Sequence, residues 1–157
     1  MFNLSEEAAL IFKALNSAGV GYALAGGLAV SLYATPRATM DIDLLLDPAA
    51  WPGAVMALNR AGYQELTSPI VLKTVTIRRM TKLSPDDTLW IDFIMATPLL
   101  QPVLAARQIL KWNNIEVPVV TPEGLITLKR LRGSPQDEAD IESLSQACDN
   151  NEPSDQQ

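Results

Sequence analysis

Residues 22–46 read YALAGGLAVSLYATPRATMDIDLLL, and this stretch decides the fold. Four residues at its start, YALA, predict a short buried strand. Gly26 and Gly27 come next and predict a turn that opens a helix over residues 27–34. The apolar run of residues 40–46 predicts a central strand with only two polar interruptions. The glycine turn and the second strand are therefore expected to meet at one edge of a sheet.

The two polar interruptions are Asp41 and Asp43. Because alternate residues of a strand point to the same face, these carboxylates are expected to lie side by side. Like charges at that separation repel unless a cation or a proton lies between them. The N–H groups of the glycine turn form a binding site for phosphate, although close helix-to-strand packing also selects glycine. Nucleotidyl transfer needs a phosphate-binding site beside a metal-binding site.

The rest of the chain predicts a mixed β-sheet with helices packed on it, an α/β or α+β domain with helices at its C-terminal end. Residues 1–147 are expected to form a single domain, and the polar residues 148–157 a disordered tail. The further predicted helices cover residues 5–18 with Ser5 as N-cap, 48–60, 98–110, 122–132 with Thr121 as N-cap, and 136–147. The further predicted strands cover residues 70–74, 76–82, 89–95 and 115–120, the first two as a hairpin or meander.

Composition excludes several kinds of site. The 157 residues contain no histidine and one cysteine, which excludes serine-histidine hydrolysis, histidine or cysteine zinc sites and an internal disulfide. All 12 Lys and Arg precede residue 133, so the net charge of −6 comes from an acidic C-terminal end, and the body is balanced. No apolar run reaches membrane-spanning length and no signal peptide is recognisable, so a soluble, cytoplasmic protein is expected.

A third aspartate, Asp92, is the one polar interruption of the strand LWIDFIM. An ionised carboxylate in a buried strand costs several kcal/mol unless it is paired, hydrogen-bonded or bound to metal. One explanation is that these aspartates lie at strand ends, with one of them paired to Arg37 or Arg78. The other is a shared metal site, which three such aspartates favour over pairing. Carboxylates without histidine or cysteine favour Mg²⁺ or Mn²⁺.

The sequence GGLAVSLYATPRATMDIDLLL resembles the signature of the nucleotidyltransferase (DNA polymerase β-like) superfamily. That signature is a small-residue pair at a helix start, an aspartate-hydrophobic-aspartate strand and a third carboxylate on a later strand. The motifs A-G-G-x-A-V and P-R-A-T-x-D-I-D are most similar to those of the bacterial AbiEii-like toxins and their small relatives of unknown function. The resemblance covers residues 20–95 and extends more weakly to residues 128–144.

The resemblance implies a nucleotidyltransferase fold and a role for each matching residue. Gly26 and Gly27 would hold the triphosphate of an incoming nucleotide through their backbone N–H groups. Asp41 and Asp43 would bind Mg²⁺, and Asp92 would complete the metal site or act as a base. Many active members of the superfamily have serine where this chain has Gly27.

Lys129 and Asp140 fall where the toxins have a lysine on a late helix and an aspartate on the next helix. The resemblance implies that Lys129 neutralises phosphate charge, and Asp140 is an accessory residue. Arg37 is expected either to contact phosphate or to pair with an aspartate. The cluster of Arg78, Arg79 and Lys82 is expected either to contact RNA backbone or to protect a solvated strand edge.

These observations predict a Mg²⁺-dependent enzyme that transfers a nucleoside monophosphate from an NTP to an acceptor. The resemblance implies tRNA as the acceptor and a toxin-antitoxin or phage-defence system with a cognate antitoxin protein. The chain is short for such enzymes, so part of the acceptor site is expected to come either from a second subunit, as in a homodimer, or from the product of a neighbouring gene. Two alternatives stay open: a non-catalytic binding or regulatory module on the same fold, and a small-molecule nucleotidyltransferase of the aminoglycoside type.

Overall fold

The computed structural model describes residues 1–34, 41–132 and 135–151. The strands of this part of the chain are β1 (Tyr22–Ala25), β2 (Ile42–Leu46), β3 (Ile70–Val71), β4 (Thr76–Ser84), β5 (Asp87–Met95), β6 (Gln108–Trp112) and β7 (Ile115–Val119). The helices are α1 (Leu4–Ser17), α2 (Gly26–Tyr33), α3 (Trp51–Arg60), α4 (Gln101–Ala105), α5 (Pro122–Arg132) and α6 (Pro135–Asn151). A 3₁₀ turn at Pro48–Ala50 leads into α3.

The strands form one mixed sheet in the order β3-β4-β5-β2-β1-β7-β6. β2 pairs in parallel with β5 and β1 in parallel with β7, whereas the other neighbours are antiparallel. All four residues of β1 are buried. Because alternate strand residues face opposite sides, both faces of the sheet are covered at its centre. The mixed sheet with packed helices confirms the fold class that the sequence predicts.

Helices α1 and α2 bury apolar residues in two different ways. α1 is amphipathic, and it buries Ala8, Ile11, Phe12 and Leu15 at helical spacing against α3 and β7. α2 is short and apolar, and it packs on β1 and β2 and against α5 and α6. This packing brings the start of α2 and one face of α5 to the same end of β2.

Most predicted elements are confirmed, with small changes at their ends. The first strand has the predicted bounds, and residues 70–84 form the predicted hairpin through β3 and β4. Thr121 caps α5 as predicted, since its Oγ1 accepts a hydrogen bond from Gly124 N at 3.1 Å. The N-cap of α1 is Asn3 rather than the predicted Ser5, because the Asn3 side chain accepts from Glu6 N at 3.0 Å.

The prediction of a helix over residues 98–110 is wrong. Only Gln101–Ala105 is helical, and the chain then forms β6, which pairs with β7 as a hairpin. Asn113 and Asn114 connect the two strands with φ of 48° and 65°. Asparagine tolerates this left-handed conformation, which matches the twist of a two-residue hairpin. Pairing with β7 therefore outweighs the helical spacing of the apolar residues before it.

The C-terminal helix α6 ends at Asn151, four residues beyond the predicted end at residue 147. The predicted tail beyond it lies outside the described residues, as does Arg37. Of the helices in the described ranges, none combines the length and the apolar character that crossing a membrane requires.

Candidate functional site

Three charged residues lie in a row across neighbouring strands. In the parallel pairing of β2 with β5, Asp43 is opposite Asp92. In the antiparallel pairing of β4 with β5, Asp92 is opposite Arg79. Residues in register on neighbouring strands share a face of the sheet. The sheet therefore brings two of the three predicted aspartates together and adds an arginine beside them.

The Asp43 side chain lies directly against the start of α2. Gly26, the first residue of that helix, has φ +63°, a conformation that glycine adopts without strain. A Cβ at Gly26 would overlap Asp43 Oδ2 and lie 2.8 Å from Cβ and Cγ of Asp43. Only a residue without a side chain fits both the conformation and the space. Gly27, next along, is buried in the first turn of α2.

Asp92 is paired with Arg79. The guanidinium donates from Nε to Oδ1 at 2.7 Å and from Nη2 to Oδ2 at 3.1 Å, and it stacks on the Trp90 ring at 4.6 Å from the centroid. The hydrogen bonds to Asp92 raise the pKa of Arg79 most, and the charges of Asp41 and Asp43 raise it further. One cation therefore interacts with all three site carboxylates.

The arginine that pairs with Asp92 is Arg79, whereas the sequence offered Arg37 or Arg78 as the partner of one of the three aspartates. Arg78 points to the other face of β4, where it donates to both carboxylate oxygens of Glu65 at 2.8 Å and stacks on Trp51. Consecutive strand residues face opposite sides, so only one of the two arginines can reach Asp92.

Lys82, the third residue of the predicted basic cluster, lies 3.0 Å from both oxygens of Glu7. All three cations of that cluster, including Arg78 and Arg79, are therefore paired with carboxylates. The three side chains stay partly exposed, at 30%, 33% and 21% of their surface. β3 pairs only with Thr76 and Ile77 of β4, so the cluster lies beyond that pairing. The two roles that the sequence offered for the cluster stay predictions.

Lys129 and Asp140 form a buried ion pair between α5 and α6. Lys129 Nζ lies 3.3 Å from Asp140 Oδ2, and the two side chains are only 5% and 4% exposed. Such a pair holds the position of the lysine, because breaking a buried ion pair is strongly destabilising. The structure thus couples the two residues that the resemblance placed on successive helices.

A cavity of about 340 Å³ connects these residues. Five of the predicted site residues line it: Gly26, Asp41, Asp43, Asp92 and Lys129. Eight aliphatic residues from the β3–β4 hairpin, β5 and α5 form the remainder of the wall. Gly27 and Asp140 do not line the cavity but adjoin residues that do.

The donor set at this cavity suits a hard divalent cation. In the described part of the chain, no three His, Cys, Asp or Glu side chains are arranged so that they could hold a metal ion. Mg²⁺, however, commonly takes only one or two protein carboxylates and completes its shell with water and substrate phosphate. Asp41 and Asp43 supply that number, so the residues present fit Mg²⁺ bound together with a nucleotide.

No protein-family model matches the sequence, and no curated protein matches it. Solved structures do match. A nucleotidyltransferase-like antigenic protein from Paracoccidioides brasiliensis has a TM-score of 0.60 and 20% identity, covering 94% of this chain and 77% of that one. The lincomycin-bound lincosamide antibiotic adenylyltransferase LnuA has a TM-score of 0.61 and 15% identity, covering 89% and 95% respectively. The chain has a nucleotidyltransferase fold.

The antibiotic-resistance factor ANT(2'')-Ia is similar to the same extent, with a TM-score of 0.61 and 16% identity over 93% of this chain and 83% of that one. The nucleotidyltransferase fold that the sequence motif implied is thereby confirmed at the level of architecture. The likeness to the AbiEii-like toxins has no counterpart among these structures and stays a prediction from the motif.

Proposed function

We propose that the protein transfers a nucleoside monophosphate from an NTP to a hydroxyl group of an acceptor, with Mg²⁺ as cofactor. The observation that carries the proposal is the shared cavity. Asp41 and Asp43 line it together with the first residue of α2 and Lys129. The cavity thus combines carboxylates for a metal, a helix start for phosphate and a cation for phosphate charge, on a nucleotidyltransferase fold.

Each residue has a part in this proposal. Asp41 and Asp43 hold the cation, and Gly26 and Gly27 present backbone N–H groups to the triphosphate. Lys129, held by Asp140, neutralises phosphate charge. When bound, Mg²⁺ would lower the pKa of the attacking hydroxyl and neutralise charge on the phosphates. The role of Asp92 depends on its pairing with Arg79, because both of its carboxylate oxygens already accept hydrogen bonds from the guanidinium.

For the acceptor we propose tRNA first, with a cognate antitoxin as partner, and the support for this choice is the motif that the chain shares with the AbiEii-like toxins. A small molecule is the second candidate. It is supported by the eight aliphatic residues of the cavity wall, since small-molecule pockets are mostly apolar with a few placed polar groups.

The test is transfer of label from each common α-labelled NTP, with Mg²⁺, to total tRNA or to a panel of hydroxyl-bearing antibiotics. We expect labelling by the wild-type chain and a loss of at least about 100-fold in Asp43→Asn, since a metal site contributes several kcal/mol. Asp86→Asn is the matched control, because Asp86 lies in the exposed β4–β5 turn. It should retain wild-type labelling.

Absence of labelling from every NTP and acceptor would contradict the catalytic proposal. In that case calorimetry with a non-hydrolysable NTP identifies the alternative. A chain that binds nucleotide without turnover is a binding or regulatory module on the same fold. Labelling of the antibiotics but not of RNA would replace tRNA by a small-molecule acceptor.

A further inference from the structure

The Arg79–Asp92 pair stands where a metal-binding carboxylate is expected. Both oxygens of Asp92 accept hydrogen bonds from the same guanidinium, at 2.7 and 3.1 Å. Asp92 is in register with Asp43, and the three site aspartates face the same cavity. An arginine inside an acidic site supplies the positive charge that such a site otherwise takes from a cation in solution.

The position of Arg79 is fixed from two sides. Its guanidinium is stacked on Trp90 and is held at both carboxylate oxygens of Asp92. Planar bidentate pairing is specific to arginine, and stacking on an aromatic ring reduces the number of conformations that the side chain can adopt. Even so, the Arg79 side chain is 33% exposed. It therefore has room to leave Asp92 without disturbing the core.

We propose that Arg79 is a positioning residue that competes with a divalent cation for Asp92, so that the Arg79–Asp92 pair and metal bound at Asp92 exclude each other. The inference rests on the proposed function, because it assumes that the cation binds at the aspartates. Two cations beside one carboxylate repel each other, and the fixed one must move before Asp92 can serve the other. Asp92 is then available to the reaction only in the metal-loaded protein.

If Arg79 instead supported Asp92 as a metal ligand, its removal would change the Mg²⁺ affinity in the opposite direction. Residues that orient metal ligands through hydrogen bonds raise metal affinity, and their removal typically lowers it 10- to 100-fold. A competitor lowers metal affinity, so that its removal raises it. The sign of the change in Mg²⁺ affinity on removing Arg79 therefore distinguishes competition from support.

Arg78→Gln is a matched control for Arg79→Gln. Arg78 is the next residue of β4, pairs with both oxygens of Glu65 and stacks on Trp51 at 4.3 Å. It has the same kind of contacts as Arg79 but on the opposite face of the strand, away from the cavity. The two variants remove the same charge, one bidentate pair and one ring contact each.

The experiment measures Mg²⁺ binding to the wild-type chain, Arg79→Gln and Arg78→Gln by calorimetry, without nucleotide, so that water takes the place of the phosphates in the Mg²⁺ shell. We expect Arg79→Gln to bind Mg²⁺ at least about tenfold more tightly than wild type, and Arg78→Gln to stay within about twofold. Arg79→Lys keeps the charge but loses the bidentate geometry, so it should fall between wild type and Arg79→Gln. This variant also serves if the glutamine variant does not fold.

Tryptophan fluorescence gives a second readout in the wild-type chain. Addition of Mg²⁺ should change the Trp90 signal as the guanidinium leaves the ring, and Trp90→Phe should remove that change. Equal or weaker Mg²⁺ binding by both Arg79 variants overturns the inference, and so does the absence of Mg²⁺ binding by every variant. If the wild-type chain labels an acceptor but Arg79→Gln binds Mg²⁺ no more tightly than wild type, the competition is refuted and the proposed function stands. If Arg79→Gln binds Mg²⁺ more tightly but the wild-type chain labels no acceptor, the proposed function is refuted and the competition stands.

Discussion

Replacing Gly26 with alanine is expected to destabilise the protein more than the same replacement at Gly19. The two glycines have almost the same backbone conformation, with φ of +63° and +68°, so alanine meets a similar strain of about 1–2 kcal/mol at each. The two positions differ in the space that is available to an added Cβ. A Cβ at Gly19 meets nothing within 4 Å, whereas a Cβ at Gly26 overlaps the carboxylate of Asp43.

Asp43 cannot move away from a Cβ at Gly26 by a side-chain rotation alone, because its own Cβ lies 2.8 Å from the new atom. Overpacking of this kind typically costs about 1–3 kcal/mol. We therefore expect a loss of about 2–5 kcal/mol for Gly26→Ala and about 1–2 kcal/mol for Gly19→Ala, the shared part being backbone strain and the difference overpacking.

Urea denaturation followed by circular dichroism measures the two losses. The free energy of unfolding should fall further for Gly26→Ala, and in an Asp43→Gly background the excess should disappear, because the overlapping side chain is gone. Equal losses for Gly26→Ala and Gly19→Ala in the wild-type background would refute the close approach of Asp43 to the helix start. The proposed phosphate-binding site at the start of α2 would then not lie beside Asp41 and Asp43.

Two further predictions concern buried polar groups. Lys129→Ala should lower the free energy of unfolding by about 3–5 kcal/mol, because it removes the buried cation that lies 3.3 Å from the Asp140 carboxylate, and the double variant Lys129→Met, Asp140→Leu should recover most of that loss in urea denaturation. Equal stability of the single and double variants would contradict a coupled pair. Burial raises the pKa of the Tyr22 and Tyr63 phenols above their ordinary value of 10.0, and the hydrogen bond to Glu7 raises that of Tyr63 further. The unfolded chain then loses these protons at lower pH than the folded one, so stability is retained below pH 10 and falls above it, by at most about 1.4 kcal/mol per pH unit for each tyrosine. Tyr63→Phe should make the fall shallower in denaturation curves measured from pH 9 to 11, and an unchanged slope would contradict the burial argument.

The centre of the fold could be predicted because local signals agree there. Each of three successive segments, an apolar strand, a glycine turn that opens a helix and a second apolar strand, predicts a single secondary structure. The structure has β1, α2 and β2 at these places. The edge of the sheet could not be predicted in the same way. No residue of 108–112 is fully buried, and the pairing of this segment with β7 decides its conformation.

The site illustrates a different limit. Residue types alone indicate which carboxylates interrupt apolar strands, and the structure brings Asp41, Asp43 and Asp92 to one cavity. The identity of their internal cation depends on strand register, which composition does not contain. Arg78 and Arg79 are adjacent in sequence, and either could pair with Asp92. Only the face of β4 that points to the cavity decides between them.

A signal for that register is nevertheless present in the sequence. The turn between β4 and β5 has two residues, and Ser84 is opposite Asp87. Counting outward in pairs from this turn places Arg79, not Arg78, opposite Asp92.

The register changes what Asp92 indicates about the site. An aspartate in a buried strand needs a partner, and a metal ion was the partner that three such residues favoured. In the structure the partner of Asp92 is Arg79, so this residue is no independent sign of a metal ion. The argument for Mg²⁺ rests on Asp41 and Asp43, beside a helix start that leaves no space for a side chain. If Arg79 competes with the metal, the acidic site is neutralised within the chain until the cation arrives, and Asp92 joins the site only then.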